Sequence, residues 1–114
     1  MKIEKFEDIM SWQKSQNLAL EIYQIFKENK DYSFKDQIQR AIISISNNIA
    51  EGFERRSNKE FIHFLYIAKG SCGEVRSMLH IANKLDYIKD KECETIYENL
   101  IEISKLLSGL IKTL

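Results

Sequence analysis

Residues Gln37 to Gly52 read QIQRAIISISNNIAEG. Arg40, Ser44, Asn47 and Glu51 recur at steps of four, three and four. At 3.6 residues per turn they share one face of a helix. Ile38, Ala41, Ile42, Ile45 and Ile49 take the opposite face. Alternation of Ile43 and Ile45 with serines offers a competing strand. However, the apolar row from Phe34 through Ile38, Ala41, Ile45 and Ile49 is too long for a strand and keeps a helical period. A helix that is apolar on one side and hydrogen-bonding on the other can face a core and a partner at once.

The flanking sequence repeats this pattern. The spacing predicts a first helix over Asp8 to Glu28, with Trp12, Ser15, Ala19, Ile22 and Phe26 inward and Leu18 and Ile25 as a second stripe. Polar Asn29 to Tyr32 supplies the turn. The second helix runs from Phe34 to Glu54, with Ser33 as N-cap. Ser57-Asn58-Lys59-Glu60 reads as a capping box, in which the Ser57 hydroxyl accepts from the Glu60 amide and the Glu60 carboxylate reaches back to the cap amide. The third helix then extends to Leu85, with Phe61, Phe64, Leu65, Ala68, Cys72, Val75, Leu79 and Ala82 as its main stripe. Its centre, Gly70-Ser71-Cys72-Gly73, predicts a close crossing by another helix, because a mid-helix glycine costs about 0.5–1 kcal/mol relative to alanine, with a tolerated weak point or kink as the alternative. Asp90 is placed to cap a fourth helix whose inward row is Ile96, Leu100, Ile103, Leu107 and Leu110. Four amphipathic helices with short connections make an all-α fold, an antiparallel up-and-down four-helix bundle, in one domain spanning residues 1–114.

Composition agrees. The 114 residues include no proline and four glycines, which suits long helices. Lysine plus arginine and aspartate plus glutamate stand at 17 each, so no overall field favours nucleic acid or an anionic membrane. Any contact with RNA must come from a local patch. The sequence has no apolar leader and no run of about eighteen apolar residues to span a bilayer. Cys72 and Cys93 lack metal-type spacing, and a reducing cytoplasm is the simplest setting for them.

The chain resembles the small four-helix-bundle proteins encoded in intervening sequences of bacterial 23S ribosomal RNA genes. The accessory protein of diversity-generating retroelements is a relative of that family. The resemblance is carried by Phe6–Lys14 (FEDIMSWQK), Gln37–Gly52, Arg56–Phe61 (RSNKEF) and Ala68–Glu74 (AKGSCGE), in order along most of the chain. It implies a four-helix bundle assembled as a ring-like homopentamer, and it supplies no reaction. The chain carries Lys27-Glu28 and Ser46-Asn47 where the family commonly has proline, and it is neutral where the retroelement relatives are basic.

Three groups are candidate sites. The row Arg40, Ser44, Asn47 and Glu51, with Asn48 at its margin, reads either as a solvated helix face or as a subunit interface in which arginine and glutamate pair across chains. Glu74, in line with Ile67, Ser71, Met78 and Ile81, either reaches water or, with Ser71, makes a contact to Arg40, Arg55 or Asn48 that fixes register or docking. Arg55, Arg56 and Lys59 cluster at one turn. Repeated around a ring they would form a phosphate-binding patch, and taken singly they are ordinary surface. His63 and His80 have neither metal spacing nor a partner nucleophile. No acid–base pair or phosphate loop is visible, and no enzyme, cofactor or metal site is expected. Leu18, Ile25, Ile43, Ala50, Ile67, Met78, Ile81, Ile101 and Leu106 lie off the inward rows. This surplus predicts homo-oligomerisation. The functional expectation is therefore a ring-forming protein that binds RNA or an RNA-handling protein partner. A pure assembly scaffold is the alternative.

Overall fold

A computed structural model describes residues 2–114. A short 3-10 turn, Phe6–Asp8, leads into four α-helices: α1 Met10–Ile25, α2 Tyr32–Phe53, α3 Asn58–Lys84 and α4 Asp90–Lys112. Each packs against the next and α4 closes against α1, giving an antiparallel up-and-down bundle 42 Å long. Its core is the row predicted from the sequence: Ile22, Phe26, Ile38, Ile42, Ile45, Ile49, Leu65, Leu79, Leu100 and Leu107 are all completely enclosed.

The ends differ from the sequence reading in ways that have local causes. The chain before α1 is a 3-10 turn whose Ile9 amide bonds the Phe6 carbonyl, so α1 starts two residues later than expected. Trp12 is half-buried rather than central, and packs edge-on against Phe6 at 5.3 Å. The N-cap of α2 is Asp31, not Ser33: its carboxylate accepts the Phe34 amide at 3.2 Å, and the helix has already begun at Tyr32. Ser57 caps α3 as predicted, accepting the Glu60 amide at 3.2 Å. The Glu60 carboxylate, however, takes the Ser57 hydroxyl at 3.4 Å rather than the cap amide. Lys89 is the N-cap of α4 and offers no side-chain bond. Asp90 is the first helical residue, where its charge suits the helix dipole and its carboxylate accepts the Asn83 amide at 2.7 Å.

Between α3 and α4 the chain turns through Asp86, whose φ of 60° is left-handed. The Asp86 amide bonds the Asn83 carbonyl and the Tyr87 amide bonds the Ala82 carbonyl at 2.8 Å. These two bonds form the Schellman closure of a helix. The same loop ties to the α1–α2 turn, because the Tyr87 hydroxyl donates to Asp31 at 2.7 Å. Asp31 thus caps one helix with one oxygen and holds a neighbouring loop with the other.

Gly70 and Gly73 do not mark a helix crossing. A Cβ at either would meet no atom within 4 Å. The close approach lies at Gly52, where a Cβ would stand 2.6 Å from the Phe64 Cβ and 3.1 Å from the Phe61 ring. There α2 meets α3 with room for hydrogen only.

Candidate interface

The sequence-predicted polar residues fall on the outer seam of α2 and α3, and the structure divides them into two sets. Ser44, Asn48 and Ser71 come together. The Ser44 and Ser71 hydroxyls lie 2.9 Å apart, and the Asn48 amide donates to both the hydroxyl and the carbonyl of Ser44 at 2.8 Å. Ser71 is only 8% exposed. This cluster stitches two helices within the protomer, satisfying polar groups that burial would otherwise penalise.

The other set points outward. Arg40, Asn47, Glu51 and Glu74 are exposed. Glu51 pairs with Arg55 at 2.9 Å, one helical turn away. Arg40, Asn47 and Glu74 make no side-chain hydrogen bond or ion pair among the described residues. In particular Glu74 has none of the protomer partners expected for it: Arg55 is held by Glu51 and Asn48 by Ser44. The Ser44–Ser71 contact fixes the antiparallel register. One turn along from it, Arg40 on α2 lies level with Glu74 on α3. Ile67 and Ile81, on the Glu74 flank of α3, are 39% and 52% exposed. The seam therefore presents an unpaired cation and an unpaired carboxylate at one height, bordered by exposed isoleucine.

The surplus of apolar residues is partly absorbed within the protomer. Leu18 and Met78 join the core, whereas Ile25, Ile43, Ala50, Ile101 and Leu106 are half-covered. Sequence reasoning missed other exposed apolar side chains, Leu20 at 71% and Tyr66 at 57% among them. Both lie off the apolar rows of their helices, so periodicity gave no signal.

The basic turn is less basic than its arginines suggest. Arg55 is engaged by Glu51, and its guanidinium also lies 4.8 Å from the Phe64 ring centre. Residues 51–60 hold Glu51, Glu54 and Glu60 against Arg55, Arg56 and Lys59, three charges of each sign. Exposed Arg56 and Lys59 make no ion pair among the described residues.

No group of His, Cys, Asp and Glu among the described residues is placed to hold a metal ion, and no helix is long and apolar enough to cross a membrane. Both cysteines are free. Cys72 is enclosed, and burial pushes its thiol up to about 11 against the opposing pull of Arg76 and Lys69. A thiol so protonated is a poor nucleophile.

Comparison with known proteins places this geometry. The family model described as 23S rRNA-intervening sequence protein matches residues 7–109. A crystal structure of a protein of unknown function from the S23 ribosomal protein family of Bacteroides thetaiotaomicron superposes with a TM-score of 0.83 at 32% identity, covering 90% of this chain and 99% of that one. No curated protein matches.

Proposed function

This chain belongs to the 23S rRNA-intervening sequence protein family, and we propose that it works by assembly rather than catalysis, with the outer α2–α3 face joining one copy to the next. The observation that carries this reading is the unpaired Arg40 and Glu74, level with each other on one face beside exposed Ile67 and Ile81. In a cyclic assembly the arginine flank of one copy meets the glutamate flank of the next, and the isoleucines are covered. Such opposite charges specify orientation and register, while apolar contact supplies most of the affinity. The resemblance to ring-forming relatives sets the expected ring at five copies. Ser44, Asn47, Asn48, Glu51 and Ser71 belong to the same face, the serines and Asn48 as its support. The buried thiol of Cys72 suits a reducing compartment, and the cytoplasm is the setting we assign.

Contact with RNA or an RNA-handling protein through Arg55, Arg56 and Lys59 takes second place, because the acids interleaved with these bases cancel their charge. Charge reversal tests the assembly reading. Light scattering should give a multiple of the 13.4 kDa protomer mass for the unaltered chain. Arg40→Glu and Glu74→Arg, each alone, should lower that mass, and the two together should restore it. Unchanged mass in both single variants, with unchanged melting, would remove Arg40 and Glu74 from the interface.

A further inference from the structure

The opposite flank of α3 carries a different kind of surface. Lys69, Gly73, Arg76 and His80 follow one another at steps of four, three and four along the side of α3 that faces α4. Two features mark this row. First, Lys69 and Arg76 make no ion pair among the described residues. Lys69 and Arg76 are half-buried, yet the ion pairs among the described residues are Lys14–Glu102 and Glu51–Arg55. Lys69 donates instead to a neutral group, the Ser108 hydroxyl on α4, at 2.7 Å. A partly desolvated cation without a carboxylate is left with unused attraction for an anion. Second, the cations are paired with aromatic rings. The Lys69 ammonium lies 5.9 Å from the Tyr66 ring centre, and the Arg76 guanidinium lies 6.0 Å from that of Tyr97. His80 meets Tyr97 edge-on at 5.4 Å. Tyr66 is 57% exposed, so a broad part of its ring is open to a partner.

Gly73 sits between the two cations, and a Cβ there would meet nothing within 4 Å. The helix backbone is bare at this point. Lys69 and Arg76 are separated by about 10 Å of helix axis. The arrangement is a shallow notch with a positive charge at each end, a hydroxyl on its far wall and an exposed tyrosine beside it. Among residues 62–80 the one carboxylate is Glu74, which lies on the α2 flank. Across the groove, α4 sets Asp90, Glu94 and Glu98 at the His80–Tyr97 end, so the positive stretch is confined to Lys69, Gly73 and Arg76.

We propose that the outer α3–α4 groove binds single-stranded nucleic acid, with Lys69 and Arg76 taking backbone phosphates on either side of Gly73 and Tyr66 stacking on a base. Cations along a groove with aromatic faces between them are the means by which proteins hold single strands without reading sequence. A lone phosphate would use the cations and leave Tyr66 idle. A duplex would offer it no open base. The inference stands apart from the assembly reading, because it uses none of the residues on the α2–α3 face.

The test is fluorescence anisotropy of a labelled single-stranded oligouridylate, about twenty nucleotides long, over a salt series. Each phosphate contact on a single strand contributes about 0.7 to the slope of log affinity against log salt, so K69Q/R76Q should flatten that slope by about 1.4 and weaken binding at least about tenfold at 0.1 M salt. Tyr66→Ala should weaken binding with little change in slope. Gly73→Leu should block the notch while the melting temperature holds. K27Q/K30Q, an equal loss of charge in the α1–α2 turn, should leave affinity unchanged. No binding by the unaltered chain, equal binding by K69Q/R76Q, or equal affinity for a duplex of the same length would each overturn the proposal. A fall in protomer number on K69Q/R76Q would overturn it as well, by making the groove a contact between copies.

Discussion

Gly52 shows how one hydrogen atom can set the spacing of two helices. Alanine there would gain about 0.5–1 kcal/mol in helix propensity. Its methyl would also press on the Phe64 Cβ at 2.6 Å, and forced repacking of this kind costs about 1–3 kcal/mol. Gly52→Ala should therefore destabilise the fold in urea denaturation. Gly70→Ala, with open space around the Cβ, should instead stabilise it by about 0.5–1 kcal/mol. Equal effects at the two sites would contradict the packing described. Tyr87 makes a second residue-scale prediction. Its hydrogen bond to Asp31, then burial and the nearby carboxylate charge, raise its hydroxyl above the ordinary value near 10. The folded state therefore holds this proton more tightly than the unfolded chain does. The stabilisation is complete below pH 10 and is lost as pH rises through the raised value. Tyr87→Phe should lower the melting temperature at neutral pH and flatten its decline above pH 10. A decline as steep as in the unaltered chain would exclude Tyr87 as its source.

At the scale of the helices, caps separate what was legible in the sequence from what was not. The long apolar rows fixed α2, α3 and α4 because a helical period over five or more turns has no strand equivalent. Ser57 was legible because its partner Glu60 is three residues away. Asp31 was not: it lies in a polar run, Asn29-Lys30-Asp31, beside Ser33, and both Asp31 and Ser33 are good caps by type. The choice is settled by Tyr87, 56 residues distant, which no local pattern reveals. Loss of the cap in Asp31→Ala should cost about 1 kcal/mol, and Ser33→Ala, inside the first turn, should cost much less. Thermal melts of the two variants distinguish the assignments, and a larger loss at Ser33 would restore the sequence-based one. The candidate site was half legible for a similar reason. Helical spacing put Arg40, Ser44, Asn47 and Glu51 on one face, but it could not say that Ser44 and Asn48 turn towards Ser71 while Arg40 and Glu74 remain unpaired. That division depends on the α2–α3 register, which Gly52 and the serine contact set together. The glycine pair in α3 misled because a glycine is equally compatible with a close neighbour and with bare backbone.

The whole molecule is a bundle with two unlike sides. On the α2–α3 side, opposite charges stand unpaired at one level beside exposed isoleucine, one for each half of a head-to-tail contact between copies. On the α3–α4 side, Lys69 and Arg76, in no ion pair among the described residues, stand beside Tyr66 and Tyr97. A ring built through the first side would repeat the second around its rim, so that several weak sites act on one strand at high effective concentration. Burying Ile67 and Ile81 is central to such a ring, and a charge there would be left desolvated and unpaired. Sedimentation equilibrium at micromolar concentration tests the account most directly. The unaltered chain should sediment as a multiple of the 13.4 kDa protomer, and Ile67→Glu/Ile81→Glu should sediment as the folded protomer alone. A single species at 13.4 kDa for the unaltered chain would contradict it.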